Sequence, residues 1–295
     1  MKQESKSGIR TGLVLEGGAM RGLFTAGVMD TLLRAGVVVD GVVGVSAGAA
    51  FGCNFVSQQP GRVLRYNKLM AHDRRFCSIW SWMTTGNLFG ADFNFHYLPN
   101  HIDRFDAERF SANPAEFHLV ATDVDTGLPV YRRIDRIGYE AEEWFRASAS
   151  MPMAATIVNI GGRRLLDGGI ADSIPLRYFE REGFGRNIVV LTRPAGYTKG
   201  RDRTLPLMRL WLRRHPGLVR ALERRPEMYN SQLRYVAEAE SEGCAFVIRP
   251  PLPLPIGHIC HDPDTMQRVY DIGVEVAKEK LSALESFLGL PVNLR

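Results

Sequence analysis

A Gly-Val-Ser-Ala-Gly motif, whose serine is Ser46, constrains the fold of this chain more than any other feature. It lies between a valine-rich run at 37–43 and a stretch of small residues at 47–56. Gly-x-Ser-x-Gly between a strand and a helix is typical of a nucleophile elbow, a sharp turn that holds its serine in a strained backbone conformation. Gly44 and Gly48 fit such a turn, because a Cβ at either position would collide with the neighbouring strand or helix. The motif predicts a serine nucleophile, and the alternative is an ordinary tight turn.

The rest of the chain predicts strands that alternate with helices. Strands are expected at 11–16, 117–123, 129–132, 164–166, 188–192 and 245–249, and helices at 23–34, 140–149, 228–242 and 264–288. This alternation predicts an α/β fold with a mostly parallel sheet that is covered on both faces. The stretch 35–56 is long enough to cross a membrane, but its glycines and valines favour a buried strand followed by a helix.

Composition is that of an ordinary globular enzyme, with 45% hydrophobic and 23% charged residues among 295. We expect a polar, flexible tail at 1–10 and a single domain at 11–295. The four cysteines show no C-x-x-C spacing, which indicates reduced thiols rather than a zinc site or a disulfide framework. The polar amino terminus does not resemble a signal peptide. We therefore expect a cytoplasmic protein that needs no metal or cofactor, and its oligomeric state stays open.

The net charge of +5 is concentrated in a basic segment at 199–225, where apolar residues alternate with arginines. Such a segment is typical of proteins that lie on an anionic membrane surface. We expect Leu210, Trp211 and Leu212 to enter the interface. The alternatives are a solvated helical face or nucleic-acid binding, and the second is not expected because no nucleic-acid-binding module accompanies the segment.

A glycine-rich turn follows the first predicted strand and precedes a helix. Its glycine spacing matches neither the dinucleotide-binding fingerprint nor the Walker phosphate loop. Backbone N–H groups at a helix start still suit a developing anion. Beside a serine nucleophile, Gly17, Gly18 and Ala19 would form an oxyanion hole. Arg21 would add positive charge to the turn or brace it, and Gly22 opens the helix.

A third candidate element follows the strand at 164–166. Asp167, followed by Gly168 and Gly169, is the candidate general base for the serine. The alternative is a structural role, in which the carboxylate accepts hydrogen bonds from nearby backbone N–H groups of the turn. A Ser–Asp–His triad is also open, with His258 or His261 as the histidine. A third possibility is a non-catalytic module that binds lipid or nucleotide.

The three motifs, taken in this order, resemble the patatin-like phospholipase family. Residues 146–152 are similar to the alanine–serine–proline segment of that family, and 117–132 to its middle hairpin, so the resemblance covers 12–175. It implies a three-layer α/β/α sandwich and a Ser–Asp dyad without histidine. The implied activity is cleavage of acyl esters of lipids, as in a phospholipase A or a lysophospholipase. The substrate would then be a lipid ester.

Two positions depart from the family pattern. The family usually has a third glycine where this chain has Ala19, and a left-handed alanine there would cost about 1 kcal/mol. The family often has asparagine at the position of Ser173, a difference that concerns the architecture of the turn. In the implied mechanism, Asp167 accepts the proton of Ser46 as the hydroxyl attacks the ester carbonyl.

Overall fold

Eight strands form one mixed sheet in the computed structural model, which describes residues 8–289. In chain order they are β1 (Thr11–Leu15), β2 (Gly41–Val45), β3 (Glu116–Asp123), β4 (Pro129–Arg133), β5 (Val158–Ile160), β6 (Arg163–Asp167), β7 (Arg186–Val190) and β8 (Ala245–Ile248). The order in the sheet is β5-β6-β3-β2-β1-β7-β8, and β4 pairs with β3. All pairings among β3, β2, β1, β7 and β8 are parallel, whereas β4, β5 and β6 pair in the antiparallel sense. The predicted α/β class with a mostly parallel sheet is confirmed.

Helices pack on both faces of this sheet. In chain order they are α1 (Gly22–Arg34), α2 (Ala47–Val56), α3 (Arg62–Leu69), α4 (Ile79–Thr85), α5 (Ala107–Ala112), α6 (Tyr139–Ser148), α7 (Leu176–Arg181), α8 (Leu205–Trp211), α9 (Pro216–Ser241) and α10 (Pro263–Leu288). A π-helix spans Phe93–Ile102, and single 3₁₀ turns span Ala19–Arg21 and Gly168–Ile170.

Alternating side chains of the strands create two separate hydrophobic cores. On β1, Leu13 and Leu15 contribute to the core beneath α1, α2, α6 and α10, whereas Val14 contributes to the core beneath α7 and α9. This follows from the period of two in a strand, which sends successive side chains to opposite faces. The result is a three-layer α/β/α arrangement.

The helix α10 lies directly against α1, the helix that follows the glycine-rich turn. A Cβ on Gly27 of α1 would lie 2.1 Å from the carbonyl oxygen of Tyr270. A Cβ on Gly273 of α10 would likewise lie 2.1 Å from the carbonyl oxygen of Phe24. The two glycines therefore let the helix backbones touch, and the carboxyl-terminal helix supports the beginning of the chain.

The stretch 35–56 forms β2 and α2, as the sequence predicted. No helix within the described residues is both long enough and apolar enough to span a membrane. The prediction for α9 was too short at its amino-terminal end, because Pro226 lies inside the helix. Proline lacks an N–H and usually ends a helix, so the pattern placed the start after it. Of the predicted tail, residues 1–7 lie outside the described residues, and Arg10 forms a salt bridge with Glu116.

Candidate active site

Ser46 occupies a sharp turn between β2 and α2. Its backbone angles, φ 55° and ψ −122°, lie in a region that residues other than glycine rarely adopt. A Cβ on Gly44 would lie 2.4 Å from the carbonyl oxygen of Gly48, and one on Gly48 would lie 2.4 Å from the carbonyl oxygen of Leu15. Both flanking positions therefore accept only glycine. The turn leaves Ser46 partly exposed at the start of α2, where the helix N-terminus favours negative charge.

The glycine-rich turn lies against Ser46. A Cβ on Gly17 would lie 3.1 Å from the Cβ of Ser46, so this backbone approaches the serine as closely as glycine permits. The N–H groups of Gly17, Gly18 and Ala19 donate to no backbone carbonyl within residues 8–289. Ala19 has φ 48°, the left-handed conformation that favours glycine. Within the described residues, the backbone therefore leaves these three donors unengaged, with Gly17 against Ser46 and Ala19 in a strained conformation.

Arg21 and Gly22 end this turn. A Cβ on Gly22 would lie 2.8 Å from the ring of Phe51 and 3.1 Å from the Cβ of Ala47, so the glycine allows α1 to pack against α2. The Arg21 side chain is only 9% exposed, and its Nε has no hydrogen-bond partner. Burial lowers the pKa of Arg21, and the charge of Glu16 counteracts this effect. A buried, positively charged side chain therefore lies at the end of the glycine-rich turn.

The register of the sheet brings Asp167 to the same place as Ser46. Val120 of β3 pairs with Val45 of β2 on one side and with β4 on the other. Ala121, the next residue, also pairs with β4, but on its other side it pairs with Asp167 of β6 instead of with β2. Because β6 runs antiparallel to β3, the carboxyl end of β6 meets the carboxyl end of β2 along one edge of β3. Asp167, the last residue of β6, therefore lies near Ser46, the residue that follows Val45. The two residues approach from opposite directions and not from two parallel neighbouring strands.

Asp167 is almost fully buried, with 2% of its surface exposed. Its Oδ1 accepts a hydrogen bond of 2.7 Å from the N–H of Gly169, and its Oδ2 is buried without a partner in hydrogen-bonding geometry. Burial raises the pKa of Asp167 above its ordinary value, and the nearby Ser46 hydroxyl, Arg225 and the Gly169 N–H oppose this rise. A carboxylate with a raised pKa is a stronger base than an exposed one.

The segment that ends α6 holds both residues in place. The Ser148 hydroxyl accepts a hydrogen bond of 3.0 Å from the N–H of Ser46 and donates one of 2.6 Å to the carbonyl of Val120. The carbonyl of Ser150 accepts a bond of 2.8 Å from the N–H of Asp167. Sequence reasoning missed this positioning role, although the alanine–serine–proline pattern at 146–152 signalled it.

The two glycines after Asp167 are packed closely. A Cβ on Gly168 would lie 2.1 Å from the carbonyl oxygen of Val120. The carbonyl of Gly169 accepts hydrogen bonds of 2.7 Å from the Ser173 hydroxyl and from Nε of Arg225. Ser173 therefore supports the architecture of the turn, and Arg225 of α9 extends the site into the basic segment.

The family model of patatin-like phospholipases matches residues 13–180. The chain belongs to this family. A second model, for a domain of unknown function named DUF6363, matches residues 215–289, which contain all of α9 and α10. Family membership confirms the predicted resemblance and supports the prediction of a lipid ester hydrolase.

Several proteins are similar to this patatin-like chain. The uncharacterized protein YjjU of Escherichia coli K12 is 29% identical over 83% of this chain and 70% of its own length. The lysophospholipase NTE1 of Candida glabrata is 23% identical over 94% of this chain, and that of Aspergillus oryzae is 25% identical over 97%. The chain spans only 16% and 19% of these two lysophospholipases. The crystal structure of VipD from Legionella pneumophila matches 93% of this chain and 67% of its own, with a TM-score of 0.46 and 12% identity.

The two histidines of the alternative triad, His258 and His261, form no hydrogen bond with Ser46 or Asp167 among the described residues. Nδ1 of His261 lies 2.7 Å from the carbonyl oxygen of Ala71. His258 lies near several cations. Burial lowers its pKa, and the charges of these cations lower it further. Within the described part of the chain, no histidine forms a hydrogen bond with Ser46 or Asp167. Nor do residues 8–289 contain a group of three or more His, Cys, Asp or Glu side chains arranged to hold a metal ion.

The basic segment forms α8, a short turn and the first part of α9. Leu210 and Trp211 are exposed, at 66% and 57%. Leu212 was expected to enter a membrane interface, and this expectation is wrong, because only 6% of its surface is exposed. It packs in a small core beside α8 and α9, since one face of the segment must cover the protein. Arg209 forms a salt bridge with Glu223, so it is not fully available to a partner.

Proposed function

We propose that the protein is a serine acyl hydrolase that cleaves carboxylic ester bonds of lipids, as a phospholipase A or lysophospholipase does. The observation that carries the proposal is the end-to-end meeting of β2 and β6 on β3, which brings a strained serine to a buried carboxylate. Family membership and the two lysophospholipases among the relatives support lipid esters as the substrate class.

In the proposed reaction, Ser46 Oγ forms a bond to the ester carbonyl carbon while its proton passes to Oδ2 of Asp167. Oδ2 suits this role because it is buried without a hydrogen-bond partner, and because burial raises the pKa of the carboxyl group. The negative charge that develops on the carbonyl oxygen would be bound by the N–H groups of Gly17, Gly18 and Ala19. Preorganised donors of this kind contribute a large part of catalysis in acyl transfer.

The second half of the reaction returns the enzyme to its starting state. The bond between carbonyl carbon and leaving oxygen breaks, and Asp167 gives its proton to the departing alcohol. Asp167 then takes a proton from water, whose oxygen attacks the carbonyl carbon of the acyl-serine. The bond between this carbon and Ser46 Oγ breaks, Asp167 returns the proton to Oγ, and the fatty acid is released. No histidine is needed, because the same carboxyl group serves as base and acid in turn.

We also propose that the segment 199–225 attaches the protein to anionic membrane surfaces. Leu207, Leu210 and Trp211 of α8 are exposed apolar side chains among arginines, a pattern typical of interfacial helices. Arg225, at the end of the segment, contacts the Asp167 turn, so the attached face borders the active site. Each engaged basic residue contributes about 1 kcal/mol near an anionic surface.

Hydrolysis of a lysophospholipid and of a p-nitrophenyl ester by the unmodified protein and four variants tests the catalytic proposal. Ser46→Ala and Asp167→Asn should each lower kcat by roughly 10³-fold or more, and the double variant should be little worse, because the two residues act as a unit. Ser57→Ala, which removes a buried hydroxyl at the other end of α2, serves as the control and should keep full activity. Near-normal turnover by either single variant would contradict the dyad. Ligand binding without turnover by the unmodified protein would favour a binding module.

Sedimentation with vesicles tests the membrane proposal. Arg213 and Arg214 are exposed, so changing both to glutamate should reverse the local charge without disturbing the fold. Binding to anionic vesicles should weaken in that variant and at high salt, because charge attraction is screened. Equal binding to neutral and anionic vesicles would refute this role and leave the segment as a solvated face.

A further inference from the structure

Four cations lie beside the proposed catalytic centre. Arg21 follows the glycine-rich turn, Arg193 and Lys199 lie in the loop after β7, and Arg225 lies on α9. Lys199 and Arg225 line one cavity, and the charges of all three arginines and of Glu16 act on Lys199. Within residues 8–289, none of the four forms a salt bridge.

Aromatic rings and a buried carboxylate hold these cations together. Nζ of Lys199 lies 5.2 Å from the ring centroid of Tyr229, and the guanidinium carbon of Arg193 lies 4.5 Å from that of Tyr197. The two tyrosine rings are 6.1 Å apart, edge to face. The hydroxyl of Tyr229 donates a hydrogen bond to the buried carboxylate of Glu16. The cluster is therefore a fixed part of the fold and not a set of mobile surface side chains.

The cluster touches both halves of the proposed catalytic centre. Arg225 donates from Nε to the carbonyl of Gly169, the residue whose N–H binds Asp167. Glu16 directly precedes Gly17, whose backbone lies against Ser46. A group bound by these cations would therefore lie next to an ester held at Ser46.

The positive charge of the cluster is only partly offset by the protein, because the two carboxylates of Glu16 and Asp202 oppose four cations. The guanidinium of Arg21 is buried, and its Nε has no acceptor. The carboxylate of Glu16 is already engaged by the hydroxyl of Tyr229 and by the N–H and hydroxyl of Thr192. An unpaired buried cation is unfavourable, so the arrangement favours binding of an anion from outside. Burial and the neighbouring arginines lower the pKa of Lys199 to about 8, and a bound anion would reverse the effect of those charges.

The lining of a neighbouring cavity combines two of these cations with apolar side chains. A small cavity beside the cluster is lined by Lys199 and Arg225 at its polar part, and by Leu205, Met208 and Leu222. Asp202 also lines the cavity, and its carboxylate, which accepts hydrogen bonds from the N–H and hydroxyl of Thr204, offsets part of the positive charge there. A guanidinium group can donate two parallel hydrogen bonds to two oxygens of one phosphate. Several cations together attract a negatively charged phosphate, whereas a neutral glyceride carries no charge for them to bind.

We propose that Arg21, Arg193, Lys199 and Arg225 form a subsite for the phosphate group of a phospholipid or lysophospholipid whose acyl ester lies at Ser46. This inference rests on the proposed function and deepens it, because it selects phosphate-bearing lipids over neutral glycerides. Phosphate and ester are carried by the same glycerol unit, so one molecule can reach both places.

Calorimetric titration of the Ser46→Ala protein tests the subsite without catalysis. The ligands are monohexanoyl glycerophosphocholine and monohexanoyl glycerol, which differ in the phosphate-bearing head group, and inorganic phosphate serves as a competitor. We expect the phosphate-bearing lipid to bind about tenfold more tightly than the glyceride, and inorganic phosphate to displace it. Lys199→Gln and Arg193→Gln should each remove about tenfold of that affinity and leave glyceride binding unchanged. Lys278→Gln, on the exposed face of α10, is the matched control and should change neither affinity.

Equal affinity for the two lipids, or a Lys199→Gln protein that behaves as Lys278→Gln does, would overturn the subsite. Tighter binding of inorganic phosphate than of the lipid would refute the proposal that the phosphate group in the subsite belongs to a lipid. Failure of the proposed function is distinguishable: the unmodified protein would then cleave neither lipid, while phosphate-dependent binding persisted. If both lipids are cleaved and Lys199→Gln leaves their ratio of kcat/KM unchanged, the hydrolase stands and the subsite falls.

Discussion

Removing the hydroxyl of Ser148 should damage both stability and catalysis, because this group joins three parts of the candidate active site. It is fully buried, accepts from the N–H of Ser46 and donates to the carbonyl of Val120. In Ser148→Ala the partly buried N–H of Ser46 loses its acceptor, and the buried carbonyl of Val120 loses a donor. Leaving a buried polar group unsatisfied costs about 1–3 kcal/mol, so we expect the free energy of unfolding to fall by that amount.

The same change should slow ester hydrolysis by more than the loss of stability explains. Ser46 is held at φ 55°, and its N–H bond to Ser148 is one of the contacts that maintain this strained turn. We expect kcat to fall by about tenfold to a hundredfold at temperatures where the variant is fully folded. Urea unfolding followed by circular dichroism measures the stability, and hydrolysis of a p-nitrophenyl ester measures kcat.

Ser150→Ala provides the matched control for this experiment. Its hydroxyl is also buried, but it donates only to the carbonyl of Arg146 in the preceding helical turn. Loss of such a local bond should cost less than about 1 kcal/mol and should leave kcat near its original value. If Ser148→Ala were no less stable and no slower than Ser150→Ala, the bridging role of Ser148 would be refuted.

Three further outcomes follow from the same contacts. Ala19→Gly should raise the free energy of unfolding by up to about 1 kcal/mol in urea titration, because it relieves a left-handed alanine; a loss of stability would contradict this. Gly168→Ala should lower it by about 1–3 kcal/mol or more, since the new Cβ would lie 2.1 Å from the carbonyl oxygen of Val120; unchanged stability would show that the strands move apart freely. The raised pKa of Asp167 means that the folded protein binds this proton more tightly than the unfolded chain does. The resulting stabilisation is fully present below the ordinary pKa of 3.8 and is lost as pH rises through the raised pKa. Asp167→Asn should therefore gain stability relative to the unmodified protein across that pH range, and a constant difference between the two would contradict the pKa shift.

Local pattern was sufficient to predict the elements that carry the candidate site. The valines before Ser46 and the small residues after it predicted β2 and α2, because each pattern fits one kind of secondary structure. The end of β6 at Asp167 was also predicted, but its direction was not. Antiparallel pairing with β3 is a property of the whole sheet, and no residue near Asp167 encodes it.

Contacts between distant parts of the chain could not be predicted from the sequence. Arg225 reaches Gly169 only because α9 packs across the sheet, and the interior Pro226 hid the first half of that helix. Leu212 lies on the buried face of its segment, a fact that depends on where the chain turns after α8. The aromatic residues of α4 likewise lie outside the core, with Trp80 47% and Trp82 45% exposed.

The proposed dyad is tested most directly by labelling with a fluorophosphonate, which forms a covalent bond to an activated serine. After digestion, mass spectrometry of the peptides identifies the serine that carries the phosphonyl group. We expect one modified serine, Ser46, with labelling abolished in Ser46→Ala and slowed strongly in Asp167→Asn. Efficient labelling of another serine, or undiminished labelling of Ser46 in Asp167→Asn, would contradict the proposed dyad.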